Sequence, residues 1–218
     1  MKIAAFSKSY GSRTVITLES LSLSEGKIYG VIGANGSGKS TLAKVLAGII
    51  KPDSGTAPLE EGISVGYMPQ KSYAYRMKLI SNLLLAKPDK LRARALMEGL
   101  NLTALAGARA DRLSGGETAR MAMARLMMKR FELLILDEPT ASMDMESTIL
   151  AERQIKKYCS ETGCTVILVT HSIQQARRLA DEILFFSSGV LTESGPVSSV
   201  LDNPRKEETK RFLEFYGI

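Results

Sequence analysis

An apolar run at Ile28–Ile32 leads into Gly33-Ala34-Asn35-Gly36-Ser37-Gly38-Lys39-Ser40-Thr41, and a helix-like apolar run over residues 42–50 follows directly. No other stretch restricts what this chain can fold into as tightly. Its glycines let the backbone curl so that N–H groups point inward. A helix opening behind the curl adds the positive end of its dipole. Strand, glycine-rich turn, Lys-Ser pair and helix in that order form a phosphate cradle, the P-loop, and imply a parallel α/β core around it. Lys39 has the reach to meet terminal phosphates, and the Ser40 hydroxyl can hold Mg²⁺. Gly33, Asn35, Gly36, Ser37, Gly38 and Thr41 complete the candidate nucleotide contacts.

A second segment, Leu133-Leu134-Ile135-Leu136-Asp137-Glu138-Pro139, is an apolar run ending in two acids. Consecutive apolar residues suit a parallel strand covered on both faces. Asp137 then emerges at the strand's carboxyl end, where open α/β sheets bind ligands. A carboxylate there can hold Mg²⁺ through its water shell. Glu138, one residue on, can orient or deprotonate an attacking water.

A third segment, Leu113-Ser114-Gly115-Gly116-Glu117, precedes a helix-like run over residues 118–129 and offers another anion site at a helix start. One P-loop does not need a second phosphate site for itself, so this site is read as serving another subunit's nucleotide. With these motifs in this order the chain resembles the ATP-binding cassette (ABC) ATPases over nearly its whole length. Their signature reads Leu-Ser-Gly-Gly-Gln; here Glu117 takes the last place.

The resemblance implies more. The fold would be a P-loop core with a small antiparallel β subdomain and an inserted helical subdomain at about residues 71–117, all one domain spanning residues 1–218. The activity would be Mg²⁺-dependent ATP hydrolysis, with two cassettes closing head to tail over two ATPs. Gln70 would touch Mg²⁺ and the attacking water, and His171, the only histidine, would contact the terminal phosphate. Tyr10 would stack on the adenine, although a turn tyrosine is the plainer reading. Asp144, in Ser142-Met143-Asp144, either crosses the dimer interface or caps the next helix. Tyr73, Tyr75 and Met77 are either a socket for a membrane subunit or a small core of the helical subdomain, whereas Tyr29, within a strand, is read as core.

Composition narrows the setting. At 218 residues with 44% hydrophobic content the chain can bury a sizeable core. No apolar run approaches the roughly 20 residues of a membrane-spanning helix, and the N-terminus carries no signal-peptide pattern, so a cytoplasmic cassette on the inner face of the membrane is expected. Cys159 and Cys164 read as reduced structural thiols. The net charge of +6 suits an anionic membrane face or simply a solvated surface; without a basic-aromatic motif, no nucleic-acid partner is expected.

For a cassette without its own membrane segment, the resemblance implies separate permease subunits, an extracytoplasmic solute-binding protein, a second cassette as homodimer partner, and no appended regulatory domain. Weak similarity around Tyr67-Met68-Pro69-Gln70 and Thr209-Lys210-Arg211-Phe212-Leu213 points to oxyanion (tungstate or phosphate) or polar amino-acid importers. A soluble ABC ATPase in iron–sulfur assembly, DNA maintenance or translation is the alternative, and a small exporter another. Strands are expected at residues 28–32, 63–68, 133–136, 165–170 and 183–186. Helices are expected at 92–102, 145–158 and 205–216, with residues 1–26 and 63–68 in the antiparallel subdomain.

Overall fold

A computed structural model describes residues 1–216. In chain order the elements are β1 (Lys2–Ile3), β2 (Phe6–Tyr10), β3 (Arg13–Leu18), β4 (Leu21–Ser22), β5 (Ile28–Ile32), α1 (Lys39–Leu46), β6 (Ser54–Gly55) and β7 (Val65–Met68). The helical stretch α2 (Leu79–Ala86), α3 (Lys90–Gly99) and α4 (Gly115–Met127) follows. Then come β8 (Leu133–Asp137), α5 (Met145–Thr162), β9 (Thr165–Val169), α6 (Ile173–Leu179), β10 (Glu182–Ser187), β11 (Val190–Pro196), α7 (Val197–Leu201) and α8 (Glu207–Tyr216).

The larger sheet runs β6-β2-β3-β11-β10-β5-β9-β8-β7. From β10 to β7 every pairing is parallel, while β10–β11, β2–β3 and β2–β6 are antiparallel. Strands β5, β8 and β9 are buried at every position. Their unbroken apolar runs have a direct cause. On one face Tyr29, Val31, Leu133, Ile135, Ile167 and Val169 pack with α1. On the other Ile28, Leu134, Leu136, Val166 and Leu168 pack with α4 and α5. Helices α6, α7 and α8 cover Ile32, Ile183 and Phe185.

Helix α4 joins this core to the helical region, burying Ala119 and Met121 through Ala124 between α2 and α3 on one side and α5 and β7 on the other. Its last turn is closed by Arg92, whose Nε and Nη2 donate to the Met127 carbonyl at 2.9 and 2.7 Å. Asn82 of α2, fully buried, fastens the preceding segment. Its Oδ1 accepts from Tyr75 N at 2.9 Å and Arg125 Nη1 at 3.1 Å, while its Nδ2 donates to the carbonyls of Tyr75 and Lys78.

One sequence expectation is overturned. Residues 63–68 were expected in the antiparallel subdomain, but β7 lies at the edge of the parallel core, Val65 to Met68 in register with Leu133 to Leu136. A four-residue strand carries no mark of its partner's direction. The other expected strands and helices form, with ends shifted by a few residues. Helices α2, α6 and α7 and strands β6 and β11 were not anticipated.

Candidate active site

The carboxyl ends of β5, β7, β8 and β9 bring the motifs together. The loop after β5 curls back over its own helix. Gly38 has φ 97°, and a Cβ there would stand 2.7 Å from the Val15 carbonyl oxygen, so glycine is required twice over. Helix α1 starts without a side-chain cap, leaving its first N–H groups directed into the loop. Lys39 is 5% exposed, and its Nζ donates to the carbonyls of Gly33 at 2.7 Å and Ala34 at 2.8 Å. Burial lowers its ammonium pKa, against the pull of Glu138 and Asp137. Ser37 Oγ is buried with no hydrogen-bond partner, an orphaned group in the wall of the loop. Asn35 and Gly36 are exposed, and with Arg13, Thr14, Val15 and Ser188 they line a cavity of about 460 Å³.

Asp137 ends β8 at 2% exposure. The hydroxyls of Ser40 and Tyr67 each approach it at 3.5 Å, from α1 and β7. Burial, and then the charge of Glu138, raise its carboxyl pKa; burial beside this carboxylate also pushes the Tyr67 phenol up to about 12.

Glu138 begins the turn after β8 with φ 50°, a left-handed conformation that a non-glycine residue adopts only under constraint. Its N–H donates to the Val169 carbonyl of β9 at 2.9 Å. Its carboxylate is held on both sides: Gln70 Nε2 donates to Oε2 at 3.0 Å, and His171 Nε2 meets Oε1. Gln70 and His171, named separately in the sequence, thus meet on the Glu138 carboxylate.

Ser114, Gly115 and Gly116 open α4. Glu117 closes a capping box there: Ser114 N donates to Glu117 Oε2 at 2.8 Å, and Glu117 N donates to Ser114 Oγ at 3.3 Å. A Cβ on Gly116 would press on the Ser142 carbonyl oxygen at 3.0 Å, so the loop before α5 lies against this helix start. Asp144 caps α5 through Ser147 N at 2.8 Å, the plainer of its two readings.

Tyr10 lies at the β2–β3 hairpin, opposite Arg13, 51% exposed, with Lys8 Nζ 5.8 Å from its ring centre. Tyr29 is core, its hydroxyl accepting from Ser24 N at 2.7 Å. Tyr73 and Tyr75 meet edge to face, centroids 5.2 Å apart, and stay exposed on a groove of about 590 Å³ between β7, α2 and α4. Both cysteines are free and buried. Tyr67, Thr140 and Gln175 were missed, because only the folded sheet brings them to the site.

The ABC transporter family pattern matches residues 18–141. The chain is 38% identical over 208 residues to the tungstate uptake system ATP-binding protein of Peptoclostridium acidaminophilum, covering 88% of this chain and 96% of that one. It is 35% identical over 194 residues to a zinc import ATP-binding protein of Yersinia pestis, covering 87% and 77%. The molybdate/tungstate import ATP-binding protein of Pyrococcus horikoshii is 32% identical over 236 residues, covering 100% and 68%. The fold matches a solved ATP-binding subunit of an ABC transporter with TM-score 0.83 at 18% identity, covering 100% of this chain and 99% of that one. A pattern spanning more than half of the chain, and a relative aligned over nearly its full length, show that this protein belongs to the ABC transporter family, whose cassettes bind and hydrolyse ATP.

Proposed function

We propose that this cassette energises a membrane importer of a small anionic or polar solute, a tungstate-like oxyanion first among them. The convergence of Gln70 and His171 on the Glu138 carboxylate, beside a buried Lys39 and Asp137, carries the hydrolytic part. The tungstate, zinc and molybdate/tungstate import names of its relatives support the transport part. Residues 1–218 act as one cassette domain, with the helical region inserted before Ser114.

ATP lies over residues 33–41, with Lys39 and the loop amides against its phosphates and the Ser37 hydroxyl available to its wall. Tyr10, exposed at the hairpin opposite Arg13, is the ring offered to the base. The donors fit Mg²⁺: Ser40 Oγ and the Asp137 carboxylate are hard oxygens converging on one point, and Gln70 offers a third through its amide oxygen. Bound there, Mg²⁺ would neutralise developing phosphate charge. Glu138 takes the proton of the attacking water. Before nucleotide binds, Gln70 and His171 hold that carboxylate in place; with ATP bound, His171 leaves it and turns toward the terminal phosphate.

The second half of each site comes from another cassette, through Ser114, Gly115, Gly116 and Glu117, with Asp144 at the same edge. Among the described residues no helix is long and apolar enough to cross a membrane; its partners in transport are separate permease subunits, a reading supported by the import ATP-binding proteins it resembles. The groove holding Tyr73 and Tyr75 is the surface offered to them, next to Gln70 in sequence. An extracytoplasmic solute-binding protein completes the system, and the cassette rests on the cytoplasmic face of the membrane.

The test is uptake. Cells lacking this chain should lose high-affinity accumulation of tungstate or molybdate, and wild-type protein should restore it where Glu138→Gln does not. Unchanged oxyanion uptake with lost zinc uptake would move the substrate; no transport defect would refute the importer.

A further inference from the structure

The turn that starts at Glu138 and the turn at His171 are joined a second time, behind the site. Gln175 is 3% exposed, and its Nε2 donates to Thr140 Oγ1 at 2.8 Å and to Glu152 Oε1 at 3.3 Å. Thr140 stands two residues beyond Glu138 in the same turn. Gln175 is itself tied to the His171 turn: its backbone N donates to Ser172 Oγ at 3.1 Å, and Ser172 N donates to Thr170 Oγ1 at 3.0 Å. Arg178, one turn further along α6, holds Glu152 with two bonds of 2.9 and 2.7 Å. The amide is thus anchored from α5 and α6 before it reaches Thr140. A cavity of about 280 Å³ separates the two turns, with Glu138 and His171 at its rim.

We infer that Gln175 is a positioning residue for hydrolysis: its buried amide locks the Glu138 turn to the His171 turn, so that base and histidine keep their register. The inference rests on the proposed roles of Glu138 and His171. The Glu138–His171 contact must open when His171 turns to phosphate, whereas the Gln175–Thr140 bond need not. It therefore adds a side-chain lock to the backbone bond from Glu138 N–H to the Val169 carbonyl, and the two together hold the left-handed Glu138 turn through the reaction. A buried amide with both protons committed fits that purpose; a methionine of similar length would fill the space without donating.

Purified chain carrying Gln175→Met, Thr140→Val, or both should be assayed for Mg²⁺-ATP hydrolysis beside the parent. Each single change should lower kcat about tenfold, the worth of one buried hydrogen bond felt in the transition state. KM for ATP should stay within about twofold, since neither side chain is proposed to touch nucleotide. The double variant should be no slower than the slower single, because one bond is broken from either end. Near-parent kcat in either single, losses that multiply, or KM rising with kcat would each overturn the inference. Should Gln175→Met fail to fold, Thr140→Val decides alone by the same criterion. Glu138→Gln, run in parallel, separates the two levels: undiminished turnover there defeats the base assignment, whatever Gln175 does.

Discussion

Replacing Glu138 by glutamine changes one oxygen to an NH₂ group and leaves the left-handed turn and its shape intact. The carboxylate accepts from Gln70 at 3.0 Å and meets His171 Nε2, and an amide oxygen can keep one of those contacts. What disappears is the proton acceptor. A general base contributes about 10²–10⁴-fold, or roughly 2.7–5.5 kcal/mol of barrier at 1.36 kcal/mol per decade. The fold should not weaken, because the lost charge stands beside Asp137, whose carboxyl it already pushes upward. ATP affinity should hold or tighten for the same electrostatic reason. Single-turnover hydrolysis and equilibrium ATP binding, measured on one preparation, check all three points. Turnover within about tenfold of the parent would remove Glu138 from the role of base, since even the weakest general-base effect is larger. Lost ATP binding would show that the carboxylate organises the site rather than attacks through it.

Three further outcomes follow from the same geometry. Lys39→Ala removes a buried cation whose Nζ is already directed at the loop carbonyls of Gly33 and Ala34, so ATP binding and hydrolysis should both fall; wild-type affinity by calorimetry would refute the phosphate cradle. Asn82→Leu strands Tyr75 N, Tyr75 O and Arg125 in the helical region and should cost about 3 kcal/mol in urea unfolding, against under 1 kcal/mol if the clamp is idle. Burial raises the Cys159 thiol to about 11 and the Cys164 thiol to about 12, from an ordinary 9.0. Above pH 9 the unfolded chain therefore releases protons that the folded chain keeps, so stability falls from pH 9 toward 11, by up to about 1.4 kcal/mol per thiol per pH unit. A Cys159→Ala, Cys164→Ala double variant should have a shallower slope, most clearly between pH 9 and 10, with the remainder toward pH 11 coming from the raised Tyr67 and Tyr158 phenols; an unchanged slope would mean that the thiols are not held from solvent.

The residues that act through backbone geometry were legible in the sequence. Glycines in the P-loop, the apolar run before Asp137 and the Ser-Gly-Gly helix start each carry their own local signal. So does the two-faced burial of β8, since a strand covered on both sides must be apolar throughout. What stayed hidden depends on partners distant in sequence. β7 gave no sign of pairing with β8 in parallel, because direction is set by the crossover and not by Val65 to Met68. Helix α2 is nearly all apolar apart from Ser81 and Asn82, so it lacks the alternation that announces a half-exposed helix, and its Asn82 looked misplaced until the Tyr75 segment and Arg125 closed around it. Gln175 reads as an ordinary helix residue; only the approach of Thr140 and Glu152 gives its amide something to hold.

The head-to-tail cassette dimer is the claim on which the ATP cycle depends, and thiol crosslinking tests it most directly. Asn35 is exposed on the P-loop and Ser114 is exposed at the start of α4, while the native cysteines are buried and will not compete. In a Glu138→Gln background, Asn35→Cys and Ser114→Cys should be joined between two chains by a short bifunctional thiol reagent, giving a covalent dimer with ATP and Mg²⁺ present and none without nucleotide. Crosslinking confined to a single chain, or a dimer band indifferent to ATP, would contradict the shared site.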